Sequence, residues 1–328
     1  MGVAGELKSN TLWEGRIELD GDVVVPAGVT LRMAPGVELA FAPKVRWSCS
    51  VFRSAPEGYP IEASSRELCD LVVFGRLEVE GTPTLPVLLG RPEGRWGGVT
   101  LLGNAAARLS HARVAGAEEF LMQSFDDSRL DLSDCTVSRA KIGVLAWGLS
   151  SVRIEDTRLE DLDCGLLCRE GATVELTRVE CRRAAQGVWA QHWGLTRLQD
   201  CHLEECSEFG AGAYDDSRLI MNGGCARACG RGVIAGGTSR VEVLGAKLHE
   251  NQVGAQSIEF AQLELRDCLI ASNREQGAKL SQSSTARVLG CRFKGNRLAG
   301  LYREDQAQVT ASGNHFEEPL AHVLAGGA

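Results

Sequence analysis

The chain has 328 residues, of which 44% are hydrophobic and 5% aromatic, and it carries a formal net charge of −8. This acidic balance, without any run of lysine or arginine, argues against a surface for nucleic acid. No apolar stretch approaches the roughly 20 residues that cross a bilayer, and the N-terminus lacks the apolar core of a secretory signal. We therefore expect a cytoplasmic protein that binds neither nucleic acid nor membrane.

Residues 1–109 are predicted to form an N-terminal cap and irregular first coils. Apolar and polar residues alternate over residues 13–41, and Pro-Ala-Gly and Pro-Gly sequences mark turns there. Residues 42–69 include Pro43, Pro56 and Pro60, so we predict a loop inserted into an early coil. The alternation resumes at residue 70.

Residues 110–328 are predicted to form regular coils, because a glycine recurs every 22 or 23 residues, each time before a short apolar run. A fixed period of this size is typical of solenoids. Each period holds short alternating segments and no stretch long enough for a helix, which predicts an all-β parallel β-helix. We expect one continuous domain with an atypical last coil. The repeat glycines are Gly143, Gly165, Gly187, Gly210, Gly232, Gly254, Gly277 and Gly300.

The sequence resembles the right-handed parallel β-helix superfamily with the pectate-lyase-like fold. The residues that carry the resemblance are 21–26, 28–31, 35–36, 75–77, 80–83 and 96–99, together with the Asn-x-x-x-Gly segments 273–277 and 296–300. The resemblance implies a right-handed, single-stranded coil, and many members of the superfamily bind or cleave acidic polysaccharides. The paired Asp motifs of its polygalacturonases, the Asp-Pro-His-Glu signature of its uronan epimerases and a pectate-lyase calcium cluster are not recognisable. The resemblance therefore predicts a fold rather than an activity.

Aromatic residues recur at outward positions of the predicted coils. Residues one period apart lie on neighbouring rungs about 4.8 Å apart, and alternate residues of a strand point to opposite faces. Sugar rings stack on aromatic faces, so we predict substrate binding there; the alternative is that an inserted loop or a partner chain covers these side chains. The predicted binding residues are Trp147, Trp189, Tyr214 and Tyr302, with Trp193 at the adjoining turn and Arg169 beside them.

The fifth residue after each glycine forms an ionisable column. Glu170, His192 and Asp215 occupy consecutive rungs, and a histidine between two carboxylates can act as an acid or a base. Asp215 and Glu259 are two rungs apart, roughly 9–10 Å, near the upper end of the spacing of about 6.5–9.5 Å in inverting glycosidases. Arg169 is placed to pair with a substrate carboxylate. We predict catalytic roles for these four column residues; the alternative is an ordinary charged turn.

Cysteines and asparagines mark further positions in the repeat. The Cys-x-x-x-Cys pairs at 164/168 and 225/229 have no converging additional ligands, so we predict no metal and no cofactor. Asn251, Asn273 and Asn296 hold one turn position, and asparagine tolerates left-handed backbone and hydrogen-bonds along a stack. The sequence therefore predicts an asparagine ladder at this turn.

Three functions fit the sequence. The main prediction is a β-helix binding protein, without catalysis, that presents an aromatic and acidic face to an extended polymer such as a glycan or to a protein partner. The alternative is a carbohydrate-active hydrolase, lyase or epimerase that uses the ionisable column. A third is an architectural scaffold that assembles end to end or side to side as a homo-oligomer.

Overall fold

A computed structural model describes residues 2–42, 68–317 and 323–325, and every regular element in these ranges is a β-strand. Most of the predicted inserted loop (43–67) and parts of the predicted last coil (318–322 and 326–328) lie outside the described residues. No helix in the described ranges is long and apolar enough to cross a membrane. The chain divides into two compact units, Met1–Leu162 (unit 1) and Asp163–Ala328 (unit 2). The division after residue 109 stays a prediction.

Unit 1 contains two sheets of parallel strands. The strands of its first sheet are β1 (Val3–Glu6), β3 (Arg16–Val25), β5 (Glu38–Phe41), β6 (Asp70–Val73), β8 (Val87–Leu89), β9 (Gly98–Leu101), β11 (Ala112–Ala115), β12 (Phe120–Ser124) and β14 (Thr136–Trp147). Those of its second sheet are β2 (Thr11–Trp13), β4 (Thr30–Met33), β7 (Arg76–Glu80), β10 (Ala106–Ser110), β13 (Arg129–Ser133) and β15 (Ser151–Glu155). Strand β16 (Arg158–Arg169) contains the boundary between the units.

Unit 2 also contains two sheets of parallel strands. The strands of its first sheet are β18 (Glu180–Ala190), β20 (His202–Glu204), β21 (Phe209–Ala213), β23 (Cys225–Arg227), β24 (Arg231–Ala235), β26 (Lys247–His249), β27 (Val253–Ser257), β29 (Leu269–Ala271), β30 (Gln276–Leu280), β32 (Arg292–Lys294), β33 (Ala299–Arg303), β35 (His315–Glu317) and β36 (Val323–Ala325). Those of its second sheet are β17 (Thr173–Thr177), β19 (Leu195–Gln199), β22 (Arg218–Asn222), β25 (Arg240–Leu244), β28 (Gln262–Arg266), β31 (Thr285–Leu289) and β34 (Gln308–Ser312).

The repeat glycines of unit 2 stack on one another. A Cβ atom added to Gly187 would lie 2.3 Å from the carbonyl oxygen of Gly210, and one added to Gly232 would lie 2.4 Å from that of Gly254. Only glycine permits this approach of one rung to the next. The predicted coils of 22 or 23 residues, and with them the parallel β-helix, are confirmed.

Inward and outward residues alternate along the rungs, as a period of two requires. Val188 and Ala190 of β18 are buried, as are Ala211 and Ala213 of the next rung, so small apolar side chains fill the core. Trp189 lies between the first two and points outward, where it is only partly buried. The core therefore fixes which residues reach the outer face.

Asparagine side chains tie the turns of unit 2 together. The backbone N–H of Asn251 donates to Oδ1 of Asn273 (3.0 Å), and that of Asn273 donates to Oδ1 of Asn296 (3.2 Å). The side-chain amide of Asn273 also donates to the carbonyl of Leu248 (3.1 Å). All three asparagines are buried, so these bonds satisfy groups that water does not reach. The predicted asparagine ladder is confirmed.

A second ladder occupies the turn that contains the predicted ionisable column. The backbone N–H of Gly237 donates to Oε2 of Glu259 (2.6 Å), that of Glu259 to Oε1 of Gln282 (2.5 Å), and that of Gln282 to Oδ2 of Asp305 (2.9 Å). All four residues have positive φ, between 57° and 63°. A side-chain acceptor at this position thus satisfies the N–H of the preceding rung, which gives Glu, Gln and Asp a structural reason to recur here.

A buried carboxyl in unit 1 gives the protein a pH-dependent stability. Asp70 lies beside Asp22, whose Oδ1 accepts a hydrogen bond from the Asp70 backbone N–H (2.9 Å). Burial, and secondarily the charge of Asp22, raises the pKa of Asp70 well above its usual range. The folded protein therefore keeps a proton that the unfolded chain releases near pH 3.9, so the free energy of unfolding falls as the pH rises through the folded pKa.

The Asp70→Asn variant is expected to be more stable than the native protein at neutral pH, because asparagine has a similar shape and does not ionise. The change of its free energy of unfolding with pH should also lose the contribution of Asp70. That contribution is at most about 1.4 kcal/mol per pH unit, because one proton is involved. Urea unfolding at a series of pH values measures both effects. An unchanged slope in the variant would show that Asp70 does not titrate as described.

Candidate functional site

Four ionisable side chains of unit 2 converge where the first sheet meets the turn ladder. Nε2 of His192 lies 3.4 Å from Oδ2 of Asp215, and Nδ1 lies 3.9 Å from Oε1 of Glu170. Nη2 of Arg169 lies 3.2 Å from the same Nδ1. The structure therefore brings together Glu170, His192 and Asp215, as the 22- and 23-residue spacings predict, and adds Arg169. We call these four residues the His192 cluster.

The contacts of His192 indicate which ring nitrogen carries the proton. A guanidinium only donates hydrogen bonds, so Nδ1 accepts from Arg169. The proton of a neutral imidazole is then on Nε2, which faces the Asp215 carboxylate. His192 thus presents a basic lone pair at Nδ1 on the side where Arg169 lies, while Asp215 holds the opposite edge of the ring.

The backbone places these groups with unusual dihedral angles. Glu170, His192 and Asp215 have φ values of 54°, 44° and 57°, and Trp193 follows His192 at 64°. Non-glycine residues rarely adopt positive φ, and two consecutive ones are rarer still. The left-handed turn directs the side chains of successive rungs along the stack, which is why residues 22 or 23 apart meet here.

Glu259 does not join the His192 cluster. Its carboxylate accepts the hydrogen bond from Gly237 in the turn ladder, and no hydrogen bond or ion pair connects it to Asp215 within the described ranges. A pairing of Asp215 with Glu259 across a sugar needs a gap between the two carboxylates rather than a contact, so the catalytic role of Glu259 stays a prediction. Glu259 has the same role as Gln282 and Asp305, which continue the ladder.

An aromatic group lies on the outer face close to the His192 cluster. The ring of Trp189 meets the ring of Tyr214 edge to face, with centroids 6.2 Å apart, and meets Phe209 in the same manner at 5.9 Å. Glycines make room for these rings: a Cβ atom on Gly236 would lie 2.4 Å from Tyr214, and one on Gly212 would lie 2.8 Å from Phe209. We call Trp189, Phe209 and Tyr214 the aromatic group.

Tyr214 has an electrostatic environment of its own. Burial raises the pKa of the Tyr214 hydroxyl, an effect that Arg231 opposes and the carboxylates of Glu259 and Glu208 reinforce. The hydroxyl therefore stays protonated at neutral pH and offers both a hydrogen-bond donor and an acceptor on the outer face.

The remaining predicted binding residues are dispersed. Trp193 lies at the turn next to His192, and 63% of its surface is exposed. Tyr302 is several rungs away, where Nζ of Lys279 lies 5.9 Å from its ring centroid and 3.0 Å from Glu304. Trp147 belongs to unit 1 and is partly buried. Trp193 adjoins the His192 cluster as the next residue after His192.

Sequence reasoning missed two features of the site. Phe209 directly precedes the repeat glycine Gly210, whereas the outward positions predicted from the sequence all follow a repeat glycine. The signal was present in the parallel register, which places Phe209 opposite Gln186 and Arg231 at outward positions. The contact between Arg169 and His192 depends on how a long side chain bends, which residue spacing does not specify.

One group of potential metal ligands occurs in the described ranges. His202, Glu204 and Cys225 place ligand atoms within 4.8 Å of one another, and Sγ of Cys225 lies 3.2 Å from Nδ1 of His202. The carboxylate of Glu204 is engaged by Arg227, which lowers the pKa of Glu204. Two ligands and a carboxylate held by a guanidinium fall short of the four-ligand arrangement of structural zinc.

Comparisons with known proteins agree with this architecture. Residues 222–319 match the family model described as "Right handed beta helix region". The crystal structure of the periplasmic alginate epimerase AlgG aligns with a TM-score of 0.71 and 8% identity over 94% of this chain and 78% of that chain. A double mutant of AlgG aligns with a TM-score of 0.73 and 8% identity over 93% and 79%, respectively. No curated protein sequence gives a significant match.

These results define the class of the protein: it has a right-handed parallel β-helix fold. The family model covers the C-terminal coils, and the structural similarity covers nearly the whole chain. At 8% identity the similarity to AlgG concerns the fold alone and does not indicate the activity of this protein.

Proposed function

We propose that unit 2 binds a polysaccharide that carries carboxylates, a polyuronate, and acts on it by proton transfer at the His192 cluster. The observation that carries the proposal is the placement of His192 between Asp215 and Arg169, next to an aromatic group on the same outer face. The similarity in fold to an alginate epimerase supports the choice of a polyuronate. This favours the enzyme alternative over binding without catalysis.

Trp189 and Tyr214 of the aromatic group would hold the sugar rings, and the buried Phe209 would support Trp189 edge to face. A pyranose presents C–H groups that pack against an aromatic face, and each extended surface of this kind buries apolar area that would otherwise contact water. Nε1 of Trp189 is buried without a hydrogen-bond partner in the described ranges, so the part of Trp189 offered to a ligand is its ring. The Tyr214 hydroxyl adds a polar contact for sugar hydroxyls.

Arg169 would bind the uronate carboxylate and release His192. A guanidinium binds a carboxylate with two parallel hydrogen bonds, which are stronger than its bond to a neutral imidazole. A carboxylate on Arg169 therefore lies beside Nδ1 of His192, and so does the C–H next to that carboxylate. The charge of Arg169 also stabilises the negative charge that develops on the carboxylate when this proton leaves.

The reaction that follows from this arrangement is proton abstraction at the carbon beside the carboxylate. Nδ1 of His192 takes the proton, and the electron pair of the C–H bond moves into the carboxylate. The intermediate then either expels the neighbouring glycosidic oxygen, which is a β-elimination, or regains a proton on its opposite face, which is an epimerisation. Asp215 holds the imidazole in the required tautomer and stabilises the imidazolium that forms.

His192→Ala is expected to lower turnover of a polyuronate by about 10²–10⁴-fold, the range for loss of a general base, while leaving binding largely intact. The assay incubates polymannuronate, polyguluronate or polygalacturonate in D₂O. Nuclear magnetic resonance detects deuterium beside the carboxylate, and ultraviolet absorbance detects the unsaturated product of elimination. Arg169→Ala should weaken both binding and turnover. Asp305→Asn, in the same turn column but outside the cluster, is the matched control and should behave as the native protein.

Binding without catalysis is the second candidate, because the other members of the turn column serve a structural ladder. It predicts that a polyuronate binds, that Trp189→Ala abolishes binding, and that neither deuterium incorporation nor elimination occurs. Trp189→Phe keeps an aromatic ring and removes the buried, unpaired N–H, so it should retain binding. A native protein that binds neutral glucans as well as polyuronates would contradict the role of Arg169.

A further inference from the structure

A hollow lies on the outer face of the second sheet of unit 1, and none of its lining residues belongs to the His192 cluster. It has a volume of about 430 Å³ and is lined by residues of β4, β7, β10 and β13. This is within the range of about 300–1,000 Å³ typical of ligand sites. At one end of the hollow, β10 contributes the small side chain of Ala106 between two rungs that carry longer side chains at the same position.

Two arginines flank the hollow. Ala106 lies opposite Arg76 of β7 on one side and opposite Arg129 of β13 on the other. The two arginines are therefore two rungs apart, roughly 9–10 Å along the stack. Both are exposed, and neither forms an ion pair or a side-chain hydrogen bond within the described ranges.

Other outward arginines of the second sheets form ion pairs. In the second sheet of unit 2, Arg218 and Arg240 also occupy the first position of their strands, and both lie 2.8 Å from Oε1 of Glu242. In unit 1, Arg32 pairs with Glu78 (2.7 Å). Arg76 and Arg129 thus keep their donors free beside a hollow, where a ligand can reach them.

We propose that this arginine hollow binds a segment of two or three uronate residues through their carboxylates. Each guanidinium can receive one carboxylate in the planar, two-bonded manner that arginine favours. The acidic side chains of Glu80 and Asp131 also line the hollow, and carboxylates accept hydrogen bonds from sugar hydroxyls. A ligand with both carboxylates and hydroxyls satisfies the two kinds of group at once.

The same acidic side chains disfavour a nucleic acid. A DNA backbone offers phosphates to the two arginines but no free sugar hydroxyls to Glu80 and Asp131, so it satisfies only one of the two kinds of group. The ligand proposed for the hollow belongs to the same class as the substrate proposed for the His192 cluster, so this inference rests on the proposed function. The residues that line the hollow are different from those of the cluster. The hollow would hold a stretch of polymer of its own.

The test measures binding of a uronate trisaccharide by titration calorimetry to variants of the full chain. In the double variant Arg76→Gln, Arg129→Gln, one binding event of the native protein should be at least tenfold weaker or absent. Added salt should weaken the same event in the native protein. Ala106→Leu fills the hollow without changing charge and should have the same effect. Arg240→Gln, which alters a paired arginine of unit 2, is the control and should bind as the native protein does.

The outcomes separate this inference from the proposed function. If Trp189→Ala abolishes all binding while the double arginine variant binds normally, the arginine hollow is wrong and the His192 site stands. If the double arginine variant loses one event and Trp189→Ala loses the other, both sites are supported. A short single-stranded DNA that binds the hollow as tightly as the trisaccharide would overturn the ligand class, and no uronate binding to any form would overturn both proposals.

Discussion

Gly254→Ala is expected to destabilise the protein by about 3 kcal/mol or more, at or beyond the upper end for overpacking of a core. The new Cβ atom would lie 2.4 Å from the carbonyl oxygen of Gly277 on the next rung and 2.8 Å from the amide nitrogen of Asn273. The first of these neighbours is backbone in the middle of a parallel ladder, so it moves only if the rungs separate. Urea unfolding followed by circular dichroism measures the loss.

The matched control is Gly295→Ala. Gly295 has a φ of 65°, and nothing lies within 4 Å of an added Cβ atom. Its replacement therefore tests the cost of a left-handed residue alone, roughly 1–2 kcal/mol. If Gly254→Ala were no more destabilising than Gly295→Ala, the close stacking of repeat glycines would be contradicted.

Asn273→Ala is expected to cost roughly 3 kcal/mol. The substitution leaves the backbone N–H of Asn251 without its acceptor and the carbonyl of Leu248 without its donor. Each buried polar group that loses its partner costs about 1–3 kcal/mol. Thermal unfolding, or urea unfolding at a fixed temperature, gives the change in the free energy of unfolding.

Asn222→Ala serves as the control for this prediction. Asn222 ends β22 on the outer side of the second sheet, and its side chain forms no hydrogen bond within the described ranges. Its replacement should change the free energy of unfolding by no more than about 0.5 kcal/mol. A similar, small effect of Asn273→Ala would mean that the asparagine ladder does not stabilise the coils.

The coil architecture could be predicted from the sequence because its physical requirement is local and repeated. A glycine is needed wherever one rung approaches the next too closely for a side chain, and Gly187, Gly210 and Gly232 meet that condition on three successive rungs. Asn273 likewise hydrogen-bonds to the rung on either side. A period of 22 or 23 residues therefore appears directly in the sequence.

The candidate site could be predicted only in part. The spacing of Glu170, His192 and Asp215 places them on successive rungs, and the structure brings their side chains together. Glu259 is held elsewhere because its carboxylate accepts a hydrogen bond from the backbone N–H of Gly237. Such a choice between two partners depends on side-chain conformation, which residue spacing does not determine.

The distinction between ladder residues and site residues has a consequence for function. Both occupy the same turn column, but Glu259 accepts a backbone hydrogen bond whereas Asp215 contacts the His192 ring. A substitution at the ladder should therefore affect stability, and one at the His192 cluster should affect chemistry. The activity of Asp305→Asn beside that of His192→Ala separates the two roles within one experiment.

The most direct measurement is a crystal structure of the Asp215→Asn variant with a bound polyuronate oligosaccharide. We expect a uronate carboxylate on the Arg169 guanidinium, a sugar ring against Trp189 or Tyr214, and the carbon beside that carboxylate facing Nδ1 of His192. An oligosaccharide whose carboxylates avoid Arg169, or which lies where no C–H reaches His192, would contradict the proposed chemistry.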